Sequence, residues 1–278
     1  MNNPDSFITI ERKFIQMKKN LLFTGLVGIA LLISAQHSFA QEDEGSDTLA
    51  RKIDLEPTLG KKDYDDRGKV IKYPRVFGGL TFTRIDWGFS RLMDDGSFTL
   101  GEENQFLKYK KASNFGFDVA QFGVRFNDAF KMYVSAGFEW NYLRLKNDII
   151  LNTDATPLAY SPSDITYKKN IFTSTYLRTP LSFEWRGGRN HHGHRPKIAF
   201  GAMTGILLKG TQRFKSEEQG KQKFRDNYNL ASFQYGVFAR VGFGSLGVFT
   251  KYYMNDMFEN SPNQENLNNF TFGLTLGF

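Results

Sequence analysis

Past Pro74 the chain falls into segments in which apolar and polar residues alternate one by one, a period that confines it to β-strands with two unlike faces. In 171–185, Thr173, Thr175, Leu177, Thr179, Leu181, Phe183 and Trp185 share one face, and Ser174, Tyr176, Arg178, Ser182 and Glu184 share the other. In 230–243, Phe233, Tyr235, Val237, Ala239, Val241 and Phe243 oppose Gln234, Gly236, Arg240 and Gly242. The stretch 268–278 repeats the pattern, with Phe270, Phe272, Leu274, Leu276 and Phe278 against Thr271, Gly273, Thr275 and Gly277. Amphipathic helices would space their apolar residues three or four apart, which these segments do not. Strands are expected at 76–90, 113–126, 131–145, 171–185, 197–210, 230–243, 246–257 and 268–278. The second changes phase, since Phe115, Phe117 and Val119 lie on one face and Phe122, Val124 and Phe126 on the other. A β-bulge near Ala120 or Gln121 accounts for this, and so does a strand end leaving the wall.

The connections alternate in length. Long polar stretches at 91–112, 146–170, 211–229 and 258–267 follow the odd strands, while 127–130, 187–196 and 244–245 follow the even ones. That alternation is expected of an all-β, eight-stranded antiparallel up-and-down transmembrane β-barrel with both chain ends in the periplasm and its long loops extracellular. A soluble sandwich also alternates its strand faces. Two features favour the membrane. Trp87, Phe89, Trp140, Tyr142, Trp185, Tyr252 and Phe278 lie near strand ends, where interfacial girdles sit. Charges of both signs, Arg84, Asp86, Asp118, Glu139, Arg178, Glu184, Arg240 and Lys251, fall opposite the greasy face of their strands. An Arg or Lys turned to lipid at mid-depth costs about 2–4 kcal/mol, so the lumen is the cheaper place for it. Eight strands leave room inside only for side chains. These eight residues are therefore expected to form a closed lumen charge network, in which Arg178 and Arg240 meet carboxylates of Asp118, Glu139 or Glu184.

Aromatic residues make up 15% of the 278-residue chain, yet its mean hydropathy of -0.43 is too polar for a bundle of transmembrane helices. Ahead of the expected barrel at 76–278, residues 1–40 have the form of a secretory signal. Met17-Lys18-Lys19 supplies the charged part, 21–33 the apolar part and Ser38-Phe39-Ala40 the small-residue site. The apolar run is shorter than the ~20 residues needed to span a bilayer. Met17 is an alternative start. Residues 41–75 mix acids, bases, Gly and Pro, as in Glu42-Asp43-Glu44 and Lys61-Lys62-Asp63, and are read as a disordered periplasmic tether. A small partner-binding segment is the rival reading. The formal charge is +7 from 36 bases and 29 acids; residues 1–40 hold four bases and two acids, leaving 32 against 27, or +5. The bases are spread along the chain in no stripe, so a nucleic-acid partner is not expected. With no Cys there is no disulfide, thiolate metal site, catalytic thiol or lipoprotein anchor.

Outer-membrane hydrolases use His with Ser or Asp as base and nucleophile. Here His37 belongs to the signal, and His191, His192 and His194 share one short connection, so no His lies on an expected strand. No catalytic residue, cofactor or metal site is expected. The His191-His192-Gly193-His194 run is flanked by Arg189 and Arg195, whose charges repel a cation. Asp94, Asp95, Glu102, Glu103, Asp148, Asp154 and Asp164 in the long connections read as solvating carboxylates.

Phe77-Gly78-Gly79-Leu80, Gln121-Phe122-Gly123-Val124-Arg125-Phe126, Gly137-Phe138-Glu139-Trp140, Tyr176-Leu177-Arg178-Thr179-Pro180-Leu181 and Phe272-Gly273-Leu274-Thr275-Leu276-Gly277-Phe278 resemble the PorT-like outer-membrane β-barrel proteins of the Bacteroidetes over 76–278. The resemblance implies recognition of the closing Phe278 by the barrel assembly machinery, and, for some members, work in protein secretion and gliding. The resulting expectation is a non-enzymatic envelope scaffold with a closed polar lumen. Outer-membrane lipid and lipopolysaccharide are its expected partners, with secretion or envelope proteins beside them. A secretion component and a narrow porin are the alternatives.

Mass spectrometry of the protein from the outer-membrane fraction should find Gln41 at the N-terminus. An intact hydrophobic leader in the inner membrane would contradict both the signal and the barrel.

Overall fold

The computed structural model describes residues 63–64, 70–71, 73–81, 84–108, 112–153, 155–188, 194–218 and 220–277. The expected signal, the cleavage site before Gln41, Asp154, His191, His192 and Phe278 lie outside the described residues, as does most of the expected tether. Within the tether, Asp63–Tyr64 pairs antiparallel with Val70–Ile71.

The barrel strands are β1 (Arg75–Leu80 and Ile85–Asp94), β2 (Ser113–Arg125), β3 (Phe130–Arg144), β4 (Lys169–Arg186), β5 (Pro196–Lys215), β6 (Phe233–Phe243), β7 (Leu246–Tyr253) and β8 (Leu267–Leu276). Each pairs antiparallel with the next, and β8 closes on β1 from Leu267 opposite Asp94 to Leu276 opposite Ile85. Closure leaves the ring without an edge where β8 meets Ile85–Asp94, while Arg75–Leu80 pairs with β2 on one side among the described residues. Gly244 takes φ +63 in the two-residue turn between β6 and β7, a conformation that glycine adopts without strain.

The first strand, expected as one piece over 76–90, is two segments that both pair with β2. They meet it on either side of a register shift between Asp118 and Ala120. There the Thr81 amide donates to the Val119 carbonyl at 2.7 Å and the Asp118 amide to the Arg84 carbonyl at 3.1 Å. The phase of both strands turns over at this level. Below it Phe77 packs inward against Tyr133 while Leu80 and Phe122 face out; above it Asp86 and Asp118 face in while Trp87 faces out. A bulge, and not a strand end, therefore explains the broken alternation of β2, one residue before the place the sequence marks.

Two further departures lie at the other end. β5 runs past its expected end at 210 to Lys215 and pairs with a strand at Lys221–Asp226, inside what reads as the loop 211–229. Its cations hid it, because Lys209, Arg213, Lys215, Lys221, Lys223 and Arg225 make an alternating ribbon look like a polar connection. The long connections are also less polar than they read. Leu92, Ala112, Leu143, Phe172 and Leu267 at the upper ends of the wall form one buried apolar cluster with Phe106, Leu107, Ile149, Leu151, Leu158, Tyr228, Leu230 and Phe258 from the connections. Phe172 meets Tyr228 edge-on at 5.4 Å between ring centres and stacks on Phe258 at 6.3 Å. Between the ends, Trp87, Ile198, Val237, Val241, Val248 and Leu274 are exposed on the outside of the ring. An aromatic row of Phe126, Phe130, Trp185 and Phe200 lines the short-turn end, with successive ring centres 5.5, 4.5 and 6.0 Å apart.

Deleting Val119 removes the extra residue of the bulge, makes Asp118 and Ala120 successive partners of Gly137 and Ala136, and leaves Phe122 and Val124 facing out. The variant should still give the heat-modifiable folded band on a gel, whereas deleting Val134 from the unbulged β3, which turns Glu139 or Lys131 to lipid, should not.

Candidate functional site

The inner face collects ionisable side chains because closure turns one parity of every strand inward. At mid-height lies Asp86 of β1, fully buried, which gathers three cations from three other strands. Its Oδ2 lies 2.8 Å from Arg178 Nη1, 3.0 Å from Arg240 Nη2 and 3.1 Å from Lys251 Nζ. Its Oδ1 accepts from the Thr275 hydroxyl at 2.8 Å. Arg178 also forks onto Asp118, with Nε and Nη2 at 3.1 and 2.7 Å from Oδ1, and reaches Glu139 at 3.2 Å. Lys251 joins Glu139 at 2.9 Å, and the Tyr253 hydroxyl donates to the same carboxylate. Arg84 bonds Asp118 at 3.1 Å and Gln121 at 3.2 Å.

The guanidinium of Arg178 fits because β2 carries no side chain beside it. A Cβ on Gly116 would stand 2.7 Å from Arg178 Nη1. Gly116 is thus the seat of Arg178. Two cations also lie over rings on their own strands, Arg240 4.5 Å from the centre of Phe238 and Lys251 4.7 Å from that of Phe249.

Two expected pairings differ. Arg240 meets Asp86 and none of Asp118, Glu139 and Glu184, because the stagger of the closed sheet brings Arg240 of β6 level with Asp86 of β1. Glu184 stands apart from Arg178 in a second cluster near the short turns. There it binds Lys131 at 3.0 Å, Arg186 at 2.8 Å and the Tyr133 hydroxyl at 3.1 Å. Lys131 and Tyr133 are buried members absent from the expected network. Their parity with Glu139 along β3 is the signal that marks them. A neutral tier lies on the other side of the mid-height cluster, where Asn114 donates to Asn141 at 2.7 Å, Asn269 donates to Asn141 at 3.2 Å and Ser90 lies 3.3 Å from Thr271.

The two mouths differ in kind. A cavity of about 10 Å³ beside Asn141, Tyr176, Gln234 and Tyr253 has room for one water, and beyond it the apolar cluster fills the long-connection end. Burial pushes the Tyr228 hydroxyl in that plug up to about 12, aided by nearby Asp226, so it stays neutral. At the short-turn end a cavity of about 280 Å³ is lined by Arg125, Asp128, Arg186, His194, Arg195, Lys197, Gly244 and Ser245. Arg195 pairs with Asp128 at 2.9 Å and Lys197 donates to the Gly244 carbonyl at 2.9 Å. Asp94, read as a solvating carboxylate, is buried and accepts from the Gly101 amide at 2.8 Å and the Asn104 amide group at 2.9 Å, organising its loop.

Residues 75–278 match the family model described as outer membrane protein beta-barrel domain. No curated protein matches the chain. Among solved structures it is similar to the crystal structure of Ail, the attachment invasion locus protein of Yersinia pestis, in complex with the heparin analogue sucrose octasulfate. That likeness has 13% identity and a TM-score of 0.29, covering 70% of this chain and 95% of that one.

Removing one partner of a buried charge cluster strands the others, at about 3–5 kcal/mol. Asp86→Asn should therefore destabilise the folded barrel by that order in urea titrations in detergent micelles. Arg240→Met, which removes a charge whose Nε and Nη1 lack hydrogen-bond partners, should cost clearly less. Equal losses would contradict the central place of Asp86.

Proposed function

The chain belongs to the outer membrane protein beta-barrel domain family, and from that premise we propose that it is a non-enzymatic scaffold of the outer membrane with a closed lumen. The observation that carries this reading is the filling of the ring. Buried ion pairs occupy its middle and an apolar plug its long-connection end, with about 10 Å³ of space beside the upper polar tier. The ionisable groups in the middle of the ring hold one another. In this reading the leader 1–40 directs export and 41–75 is a periplasmic tether. The short turns face the periplasm and the long connections face the outside, in contact with lipid and lipopolysaccharide.

A second reading is a PorT-like component of protein secretion machinery. It draws on the motifs shared with that family and on the cationic cavity at the short-turn end, where Arg125, Arg186, Arg195 and Lys197 suit an acidic segment of a periplasmic partner. Purification in mild detergent separates the two, since a stable multiprotein complex favours the secretion component and a lone barrel favours the scaffold.

The lumen is expected to carry no steady current in planar bilayers, before or after Glu139→Gln. Large, stable steps from the wild-type protein would instead support the narrow porin.

A further inference from the structure

β5 changes character along its outward face at a second bulge, between Leu207 and Lys209. Below the bulge that face is apolar, with Ile198 and Phe200 exposed. Above it the outward parity carries Lys209, Arg213 and Lys215 around a buried Thr211, and the adjoining strand Lys221–Asp226 adds Lys221, Lys223 and Arg225, all six cations exposed. The register sets Arg213 opposite Lys223 and Lys215 opposite Lys221, while Lys169 of β4 stands opposite Lys215 on the other side. Like charges directly opposite one another destabilise a sheet. No carboxylate on these strands shares that face. Glu217, at the hairpin tip, pairs with Lys168 instead, and the inner face is packed by Phe214 on Phe224 at 5.5 Å. The fold alone has no use for such a wall.

We propose that this cationic wall binds the anionic headgroups of outer-leaflet glycolipid, through the phosphates and carboxylates of lipopolysaccharide. It stands on the same strands as the lipid-facing wall and begins where that wall stops, so it faces sideways toward neighbouring lipid and not upward toward solutes. At about 3.3 Å per residue and a tilt of about 40°, Lys209 to Lys215 spans roughly 15 Å beyond the apolar band, the depth a headgroup layer occupies. Strands about 4.8 Å apart set the cations on a grid that one multivalent headgroup bridges, removing the repulsion between opposed pairs. The proposal rests on the reading that the long connections face outward.

Because the chain has no Cys, Lys215→Cys provides a unique probe of that orientation. A membrane-impermeant maleimide should label it in intact cells. Labelling only after lysis sinks the orientation, and the headgroup proposal with it. The full-length protein in zwitterionic micelles is then titrated with lipopolysaccharide, and bound lipid is counted by native mass spectrometry. A basic residue near an anionic surface contributes about fivefold. The combined variant Arg213→Gln, Lys215→Gln, Lys221→Gln and Lys223→Gln should therefore bind at least tenfold more weakly while keeping the heat-modifiable folded band. Lys215→Arg with Lys221→Arg and Lys223→Arg should bind like wild type, and dephosphorylated lipopolysaccharide should bind at least tenfold more weakly. A smaller loss in the Gln variant overturns the proposal, as does tighter binding of dextran sulfate than of lipopolysaccharide.

Discussion

A ring of eight strands is too narrow to be filled by water, so each polar group on its inner face must find its partner among other side chains. Asp86 shows how the constraint is met. One carboxylate with no exposure holds Arg178, Arg240 and Lys251, and those cations tie β4, β6 and β7 to β1 across the lumen. Asp118 and Glu139 take up the remaining capacity of Arg178 and Lys251, and Phe238 and Phe249 lie against two of the cations. Such a network adds little stability over a well-packed apolar core of the same volume. Its value here is directional, since a register slip of any one of these strands would strand a charge.

Phase is the second requirement, and the wall corrects it at three places. The interruption of β1 and the bulge of β2 lie side by side, so both strands exchange their inward and outward parities at one level and remain in register with each other. The bulge of β5 at Leu208 does the same nearer the long connections. Below it Ala199 and Met203 face in; above it Gln212 and Phe214 do. At β2 and β5 one extra residue lets a strand serve two environments, and at β5 these are the apolar band and the cationic wall above it.

The two ends of the lumen serve different ends of the molecule. At the long connections apolar side chains from strand ends and several loops pack together over the mouth. At the short turns Arg125, Arg186 and Lys197 leave an open cationic recess.

Much of this was legible in the residues themselves. A period of two in 171–185, 230–243 and 268–278 assigns one parity to lipid and the other to the lumen, and alternating connection lengths give an even strand count, because both follow from local geometry. The same parity sends Arg178, Glu139 and Lys251 inward. The partner of Arg240 was not legible. Whether Arg240 meets Glu184 or Asp86 depends on the shear of the closed sheet, a property of all eight strands together. Nor was the apolar plug, since Phe106, Leu158, Tyr228 and Phe258 are scattered among polar residues with no period and become neighbours only when four connections fold over one mouth. The ribbon of β5 was hidden for the opposite reason, as its cations carry the composition of a loop. Alternation along the chain thus determined which way each strand faces; closure in three dimensions decided which charge meets which, and what seals the end.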